Sequence, residues 1–368
     1  MPTTSPTTTI LKISSHSQQT LYISLSTGLL TSHPPPLQPI SITYITLPPH
    51  HHIFPAYLEL QINGCAGFRF TSPLARTEVE RVLPCLKPQK FERGAELLGA
   101  HCEGPWLNPL KKGAHDASLM QIPAKTSPAD IYSESNISSI KMITIAPELP
   151  GSIALIKDLS ANRNIRISLG HSAADYDTGM AALQAGATTL THVFNAMNPL
   201  NHRLPGLAGL MTSPRAPYYS IIPDGIHLHP ATVALAYRAN PQKCILITDA
   251  LEMAGLPDGI YPGHAQIPHL QRKVGNRVTI EGTETLIGSC IGLDECVRNL
   301  VRFSGCTLQE AVRCVTENVA ELMGLGDRGR LEVGRRADFV VLDDGGFVRQ
   351  TWIGGAKVYD VEDADPDS

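Results

Sequence analysis

The sequence predicts an α/β protein built around a (β/α)8-type barrel, with a small β domain assembled from both chain ends. Two observations lead there. From Pro55 onward, short apolar runs alternate with helix-like stretches, the pattern of parallel strands joined by right-handed crossovers. Reactive side chains then stand at the C-terminal ends of those runs: Glu103 after "LLGAHC", His171 after "ISLG", His192 after "TTLT", Asp224 and His227 after "YYSII", and Asp249 after "ILIT". A barrel collects its chemistry at that rim. A doubly wound sheet uses the same edge, but no glycine-rich phosphate fingerprint follows the first strand.

Residues 1–54 are rich in Ser, Thr and Pro, with strand-like "TLYISLS" and "ISITYITL" interrupted by "SHPPPLQP" and "PPHHHIFP". Flanked by prolines, His50, His51 and His52 read as a solvated kink in a loop rather than a metal cluster. The barrel, residues 55–329, takes its strands from "YLELQI", "AELLGAH", "IKMITIA", "IRISLG", "TTLTHV", "YYSIIP" and "KCILITD". Between them "SIALIKDLSANR", "TGMAALQAG" and "ATVALAYRAN" have helical spacing. Two more helices follow, at 294–303 and 307–324. "GRLEVGRRADFVVLDD" and "FVRQTWIGGAKVY" then read as strands with tight turns, so that residues 330–368 join 1–54 in the β domain.

Composition excludes several function classes. The 368 residues are 42% hydrophobic and 17% charged, as in a globular protein. A net charge of −4 gives no pull toward nucleic acid or an anionic membrane. No apolar run approaches the ~18 residues of a membrane span, and "MPTTSPTTTI" lacks the basic start and apolar core of a secretory signal. The eight cysteines show no CxxC spacing, which reads as buried, reduced thiols in a cytoplasmic protein.

The chemistry starts at "HCEGP". His101 and Glu103 alternate on a strand and so share a face, and Gly104-Pro105 turns the chain away. That place suits a metal ligand, and equally a buried ion pair. Glu103, His171 and His192 together offer one carboxylate and two imidazoles, a donor set for a catalytic divalent ion such as zinc. Such an ion polarises a carbonyl and acidifies water. Asp249 has the chemistry of a general base that passes a proton from water to a leaving amine. The sum is metal-assisted hydrolysis of an amide.

The segments "LQINGCAG", "HCEGPWLNPLKKGAHD", "ITIAPE", "SLGHSAADY", "THVFNAMNPLNHRLPGLAG", "DGIHLHP" and "LITDALEMAG" resemble the N-acetylglucosamine-6-phosphate deacetylases of the amidohydrolase superfamily, in family order, from about Pro55 to Tyr359. The resemblance implies a metal-dependent hydrolase barrel that converts N-acetyl-D-glucosamine 6-phosphate to D-glucosamine 6-phosphate and acetate, in amino-sugar catabolism. It implies Glu103, His171 and His192 as the metal ligands, for which zinc is the ion their donor set suits best, and Asp249 as the catalytic aspartate. It implies substrate contacts at Ala114, His115, Asn195 and Ala196, and phosphate contacts at Arg203 and His227. Ile291, Gly292 and Leu293 fall where the family lines its pocket, though Gly292 departs from the usual residue. Many amidohydrolases carry His-x-His on the first strand for a second ion. Gln61 and Asn63 stand there instead, which points to one metal, with the two amides either bonding substrate or holding loops.

One feature of the chain departs from the family. The strand count is seven, and the segment from Phe70 to Gly94 lacks the helix and strand that the family places between "YLELQI" and "AELLGAH". Nearby, Ala56, Glu59 and Arg69 replace the family's Gly, Asp and acidic residue. A barrel without its second strand leaves unpaired backbone on both neighbours, a route to aggregation or a homodimer. Two other readings therefore stand beside the working deacetylase: a non-catalytic or defective relative with a truncated barrel, and an amidohydrolase for another N-acyl sugar or cyclic amide. Arg203 with His227 favours a phosphorylated substrate.

Overall fold

The computed structural model describes residues 8–15, 19–32, 40–69, 82–91, 94–264 and 267–363. The chain divides into two compact units, one of Met1–Leu58, Phe91–Ala95 and Thr307–Ser368, the other of Glu59–Lys90 and Glu96–Cys306.

The larger unit is organised by six parallel strands whose spatial order follows the sequence: β1 Ala100–Glu103, β2 Ile140–Ile145, β3 Arg166–Leu169, β4 Ala187–Leu190, β5 Tyr218–Ile221 and β6 Cys244–Leu246. They form the curled half-barrel that the alternating pattern predicts. The apolar runs of β2 to β6 are largely buried, as parallel strands covered on both faces require, whereas in the edge strand β1 only Ala100 is buried. Helix α1 (Ser152–Arg163) follows β2, α2 (Tyr176–Ala185) follows β3, and α3 (Pro230–Ala239) follows β5. Local chemistry sets their ends. The Asp175 carboxylate caps α2 at the Thr178 amide, and Pro230 opens α3. Helix α1 buries Leu155, Ile156 and Leu159. Each contributes roughly 1.5–3 kcal/mol, and Ile156→Ala at that seam costs about 2–5 kcal/mol.

After β6 comes an antiparallel sheet that the sequence did not announce: Gly259–Tyr261, Gln271–Val274, Arg277–Ile280 and Leu286–Ser289. It buries Val278 against Leu251 and Met253. Helix α4 (Leu293–Ser304) closes the unit.

The expected first strand, "YLELQI", is not a regular strand. The Glu59 carboxylate takes the amides of Gln61 (3.0 Å) and Thr248 (3.4 Å), donors that a ladder would use otherwise. Gln61 O accepts from the Asp249 amide at 3.0 Å, but the Asp249 carbonyl is engaged by Ser289, so the Asn63 amide turns to Ala250 O at 2.7 Å. The other end of the sheet is β1, and among the described residues no strand pairs with its outer edge. Much of the Phe70–Gly94 segment, residues 70–81 and 92–93, lies outside the described residues; Leu83–Leu86 make a single 3₁₀ turn.

In the smaller unit the β-rich ends share one core. Thr8–Ser14 pairs parallel with Ile40–Thr46, and Phe339–Asp343 pairs antiparallel with His51–Pro55. Leu11, Ile13, Ile23, Ile53, Phe339 and Trp352 pack together, the two aromatic rings stacked at 5.3 Å. The unit reaches back to Thr307, upstream of residue 330, because the helices Leu308–Arg313 and Glu317–Met323 are tied to it. Arg330 pairs with Glu317 and Glu321, and the Leu58 amide donates to Val315 O at 2.8 Å. The histidine kink is smaller than expected. Only His50 turns (φ +63), while His51 and His52 begin a strand, and the carboxylate of Asp344 takes His50 and His52 at 2.8 Å each.

None of the eight cysteines forms a disulfide. Among the described residues no helix is long and apolar enough to cross a membrane.

Candidate metal centre and substrate pocket

The strand ends deliver their side chains to one place. Glu103 closes β1, and its Oε1 lies 3.1 Å from His171 Nε2 and 2.9 Å from His192 Nε2. His115 Nε2 stands 3.5 Å from Oε2. Asp249, after β6, is reached by Asn63 Nδ2 at 2.7 Å and by Gln61 Nε2 at 3.3 Å, both on Oδ1. The Gln61 amide also lies 3.4 Å from Glu103 Oε1, so it spans the two carboxylates. His171, His192 and Asp249 all have positive φ (+47, +28 and +48). Left-handed backbone costs non-glycine residues about 1–2 kcal/mol and persists where the surroundings over-determine it. Gly170, before His171, lets β3 approach β4: a Cβ there would meet Thr191 Cβ at 2.7 Å.

His101 does not join the cluster. Its Nδ1 donates to Leu60 O at 3.3 Å and its Nε2 meets Thr144 Oγ1 at 2.9 Å. It is the first member of a buried polar chain that continues through Thr191 to Ser168, and it bridges the outer edge of β1 to the Glu59–Asn63 segment.

Electrostatics sort the cluster. Burial would raise Glu103, but the nearby His171 and the hydrogen bonds from His115, His171 and His192 hold it well below the usual carboxylate range. Burial lowers His171, outweighing the charge and hydrogen bond of Glu103. Burial also pulls His192 down, but the hydrogen bond and charge of Glu103, with the charge of Asp249, outweigh that and raise it. Asp249 is raised by burial and by the charge of Glu103.

A divalent ion fits these residues. His171 Nδ1 donates to the carbonyl of Lys111 at 2.8 Å, which holds the ring with Nε2 toward Glu103. Two imidazole nitrogens that meet one carboxylate oxygen, at 3.1 and 2.9 Å, make a donor set for a divalent cation. Among the described residues, buried Nδ1 of His192 finds no hydrogen-bond partner. Ligand atoms of Glu103, His115 and His171 lie within 4.8 Å of one another, so His115, 3.5 Å from Glu103 Oε2, stands beside the centre as well, while His192 reaches Oε1 at 2.9 Å.

These groups open onto a cavity of about 310 Å³. Glu103, Ala114, His115, His171, His192, Asn195, Ala196, His227 and Asp249 line it, nine of the thirteen residues given metal, catalytic or substrate roles from sequence, and Asn63 lines it too. His227 donates from Nδ1 to Asp224 Oδ2 at 2.7 Å. The other four lie elsewhere. Arg203 is on an exposed loop, Ile291 is buried in the core, and Gly292 and Leu293 start α4. Leu286 and Ile287, at the end of the antiparallel sheet, line the wall instead. Sequence reasoning also missed His264. It enters from the turn between Gly259–Tyr261 and Gln271–Val274, not from a barrel strand end, and burial with the Arg69 charge lowers it to about 4.

The chain is 42% identical to the Danio rerio N-acetylglucosamine-6-phosphate deacetylase over 344 residues, 83% of this chain and 84% of that one. It belongs to the N-acetylglucosamine-6-phosphate deacetylase family. The amidohydrolase family model matches residues 287–359. A further relative is the Escherichia coli O157:H7 N-acetylgalactosamine-6-phosphate deacetylase, 35% identical over 77% of this chain and 74% of that one. Among solved structures, a Mycobacterium smegmatis N-acetyl-D-glucosamine-6-phosphate deacetylase variant in complex with N-acetyl-D-glucosamine-6-phosphate superposes with a TM-score of 0.76 at 28% identity, covering 96% of this chain and all (100%) of that one. The half-barrel and the β unit are thus those of a deacetylase of this family, a metal-dependent hydrolase.

Proposed function

We propose that this chain hydrolyses the acetamide of N-acetyl-D-glucosamine 6-phosphate to D-glucosamine 6-phosphate and acetate, using one zinc ion held by Glu103, His171 and His192. The observation that carries the reading is the convergence of His171 Nε2 and His192 Nε2 on Glu103 Oε1, at 3.1 and 2.9 Å, in the cavity that Asp249 also lines. When bound, such an ion supplies Lewis-acid polarisation of the amide carbonyl and of the attacking water. Asp249 handles the proton. Its Oδ1 is occupied by Asn63 and Gln61, so Oδ2 accepts the water proton and hands it to the sugar nitrogen as the C–N bond breaks. The water oxygen stays on the acetyl carbon and leaves as acetate.

Ala114, His115, Asn195 and Ala196 wall the sugar. His227, with Nδ1 engaged by Asp224, presents Nε2 to the phosphate. Arg203 is its partner by family resemblance, since a guanidinium grips phosphate with paired hydrogen bonds. Ile291, Gly292 and Leu293 complete the pocket by the same resemblance. The enzyme is cytoplasmic and forms a homodimer in this reading.

The test is metal content of the purified chain together with acetate release from N-acetylglucosamine 6-phosphate, its galacto epimer and the unphosphorylated sugar. Expected are one zinc per chain, loss of turnover on chelation with recovery on zinc addition, and preference for the phosphorylated gluco sugar. Turnover that survives chelation, or that favours the galacto epimer, overturns it. A chain that binds metal yet releases no acetate is the defective relative, the reading that the lack of a strand beside β1 among the described residues favours.

A further inference from the structure

We propose that Glu148 is the positioning residue that sets the His171 ring for the metal, holding both sides of that ring with one carboxylate. The proposal rests on the ligand set given above. Glu148 comes from "ITIAPE", a motif to which the reaction assigns no role. Its Oε1 accepts Asn108 Nδ2 at 2.8 Å and the Ala173 amide at 2.6 Å, and its Oε2 accepts Ser172 Oγ at 2.6 Å. One side of the ring is thereby fixed through Asn108. The Asn108 side chain caps the turn Pro109–Lys111 by accepting from the Leu110 amide at 2.9 Å, and Lys111 O at the end of that turn receives His171 Nδ1 at 2.8 Å. The Asn108 amide also donates to His171 O at 2.9 Å. The other side is fixed directly, because Ser172 and Ala173 follow His171 in the chain.

Both routes bear on a residue whose backbone is strained, at φ +47. Such a conformation holds only while its neighbours enforce it. Without the Glu148 carboxylate, three donors lose their acceptor, the 171–173 turn relaxes, and the carbonyl that receives His171 Nδ1 is no longer held against the ring.

The experiment titrates zinc into the metal-free full chain against a competing chelator, for wild type, Glu148→Ala, Glu148→Gln and Ser172→Ala, with the melting temperature of each metal-free protein measured alongside. Loss of an outer-shell partner weakens metal binding roughly 10–100-fold. Glu148→Ala is expected in that range, and Ser172→Ala, which removes one of three bonds, below it. Glu148→Gln keeps an acceptor for Asn108 and Ala173 and turns its amide to Ser172, so it is expected within a few-fold of wild type. Equal zinc affinity in all four overturns the proposal. So does a loss that tracks the metal-free melting temperature with Gln no better than Ala, the mark of a merely structural staple. If Glu148→Ala does not fold, the Gln and Ser172 variants decide. A wild-type chain that takes up no zinc overturns the ligand set itself, and the flat wild-type titration tells that failure apart.

Discussion

Asp249 is gripped on Oδ1 by two amides, with no bond on Oδ2 among the described residues, and that asymmetry sets the clearest consequences of single substitutions. Asp249→Asn removes the proton carrier without touching a ligand. Turnover is expected to fall ~10²–10⁴-fold at unchanged metal content, and a near-normal rate would exclude the role. Glu103→Gln should instead strip most of the metal, because an amide is a poor substitute for the carboxylate on which both histidines converge; full occupancy in that variant counts against the ligand set. Asn63→Ala removes a charge-assisted bond of 2.7 Å to Asp249. Such bonds contribute about 1.5–3 kcal/mol, or roughly 10–150-fold at 1.4 kcal/mol per decade. The loss should appear in kcat with the metal retained, and a pure KM effect would mean that Asn63 binds substrate instead. Sequence alone left Asn63 and Gln61 between those two roles, since an amide at a strand end serves either.

At the scale of the element, the Glu59–Asn63 segment owes its irregular course to a buried carboxyl. Burial pushes Glu59 from 4.5 up to about 7. The folded chain thus binds this proton more tightly than the unfolded chain does. The resulting stability is complete below about pH 4.5 and is lost as pH rises through about 7. A shift of that size corresponds to about 3 kcal/mol. Glu59→Gln keeps an acceptor for the Gln61 and Thr248 amides but has nothing to ionise. Its melting temperature should therefore gain on wild type between about pH 5 and pH 8. Parallel melting curves for the two proteins across that range would show that Glu59 stays in one protonation state.

For the molecule as a whole, the outer edge of β1 is the weak point. Among the described residues the contacts across it are side-chain bonds in place of a ladder, His101 to Leu60 O at 3.3 Å and Gln61 Nε2 to Glu103 Oε1 at 3.4 Å. An unpaired edge invites association. Inserting a relative's missing helix and strand after Phe70 should raise the melting temperature and the rate of acetate release. No change in either would mean that the chain closes this edge by other means.

Much of the barrel and its rim was legible in the residue order. Strand and helix periods are local properties, and in a parallel sheet every strand ends at the same rim. Glu103, His171, His192, His227 and Asp249 therefore had to converge once the period was read. The antiparallel sheet after β6 was not legible, because its four short strands alternate with turns rather than helices. With it went His264, Leu286 and Ile287, which reach the cavity through the packing of that sheet. Nor did any pattern separate Arg203, on an exposed loop, from the nine residues that meet. By itself the sequence determined which side chains stand at the strand ends and in what order, for periodicity and turn chemistry act over a few residues. Only the tertiary structure decided that Asn63 grips Asp249 across 186 residues of chain, or that Glu148 holds the turn after His171. Those bonds depend on distances and side-chain directions between remote segments, and these exist only once the sheet has curled.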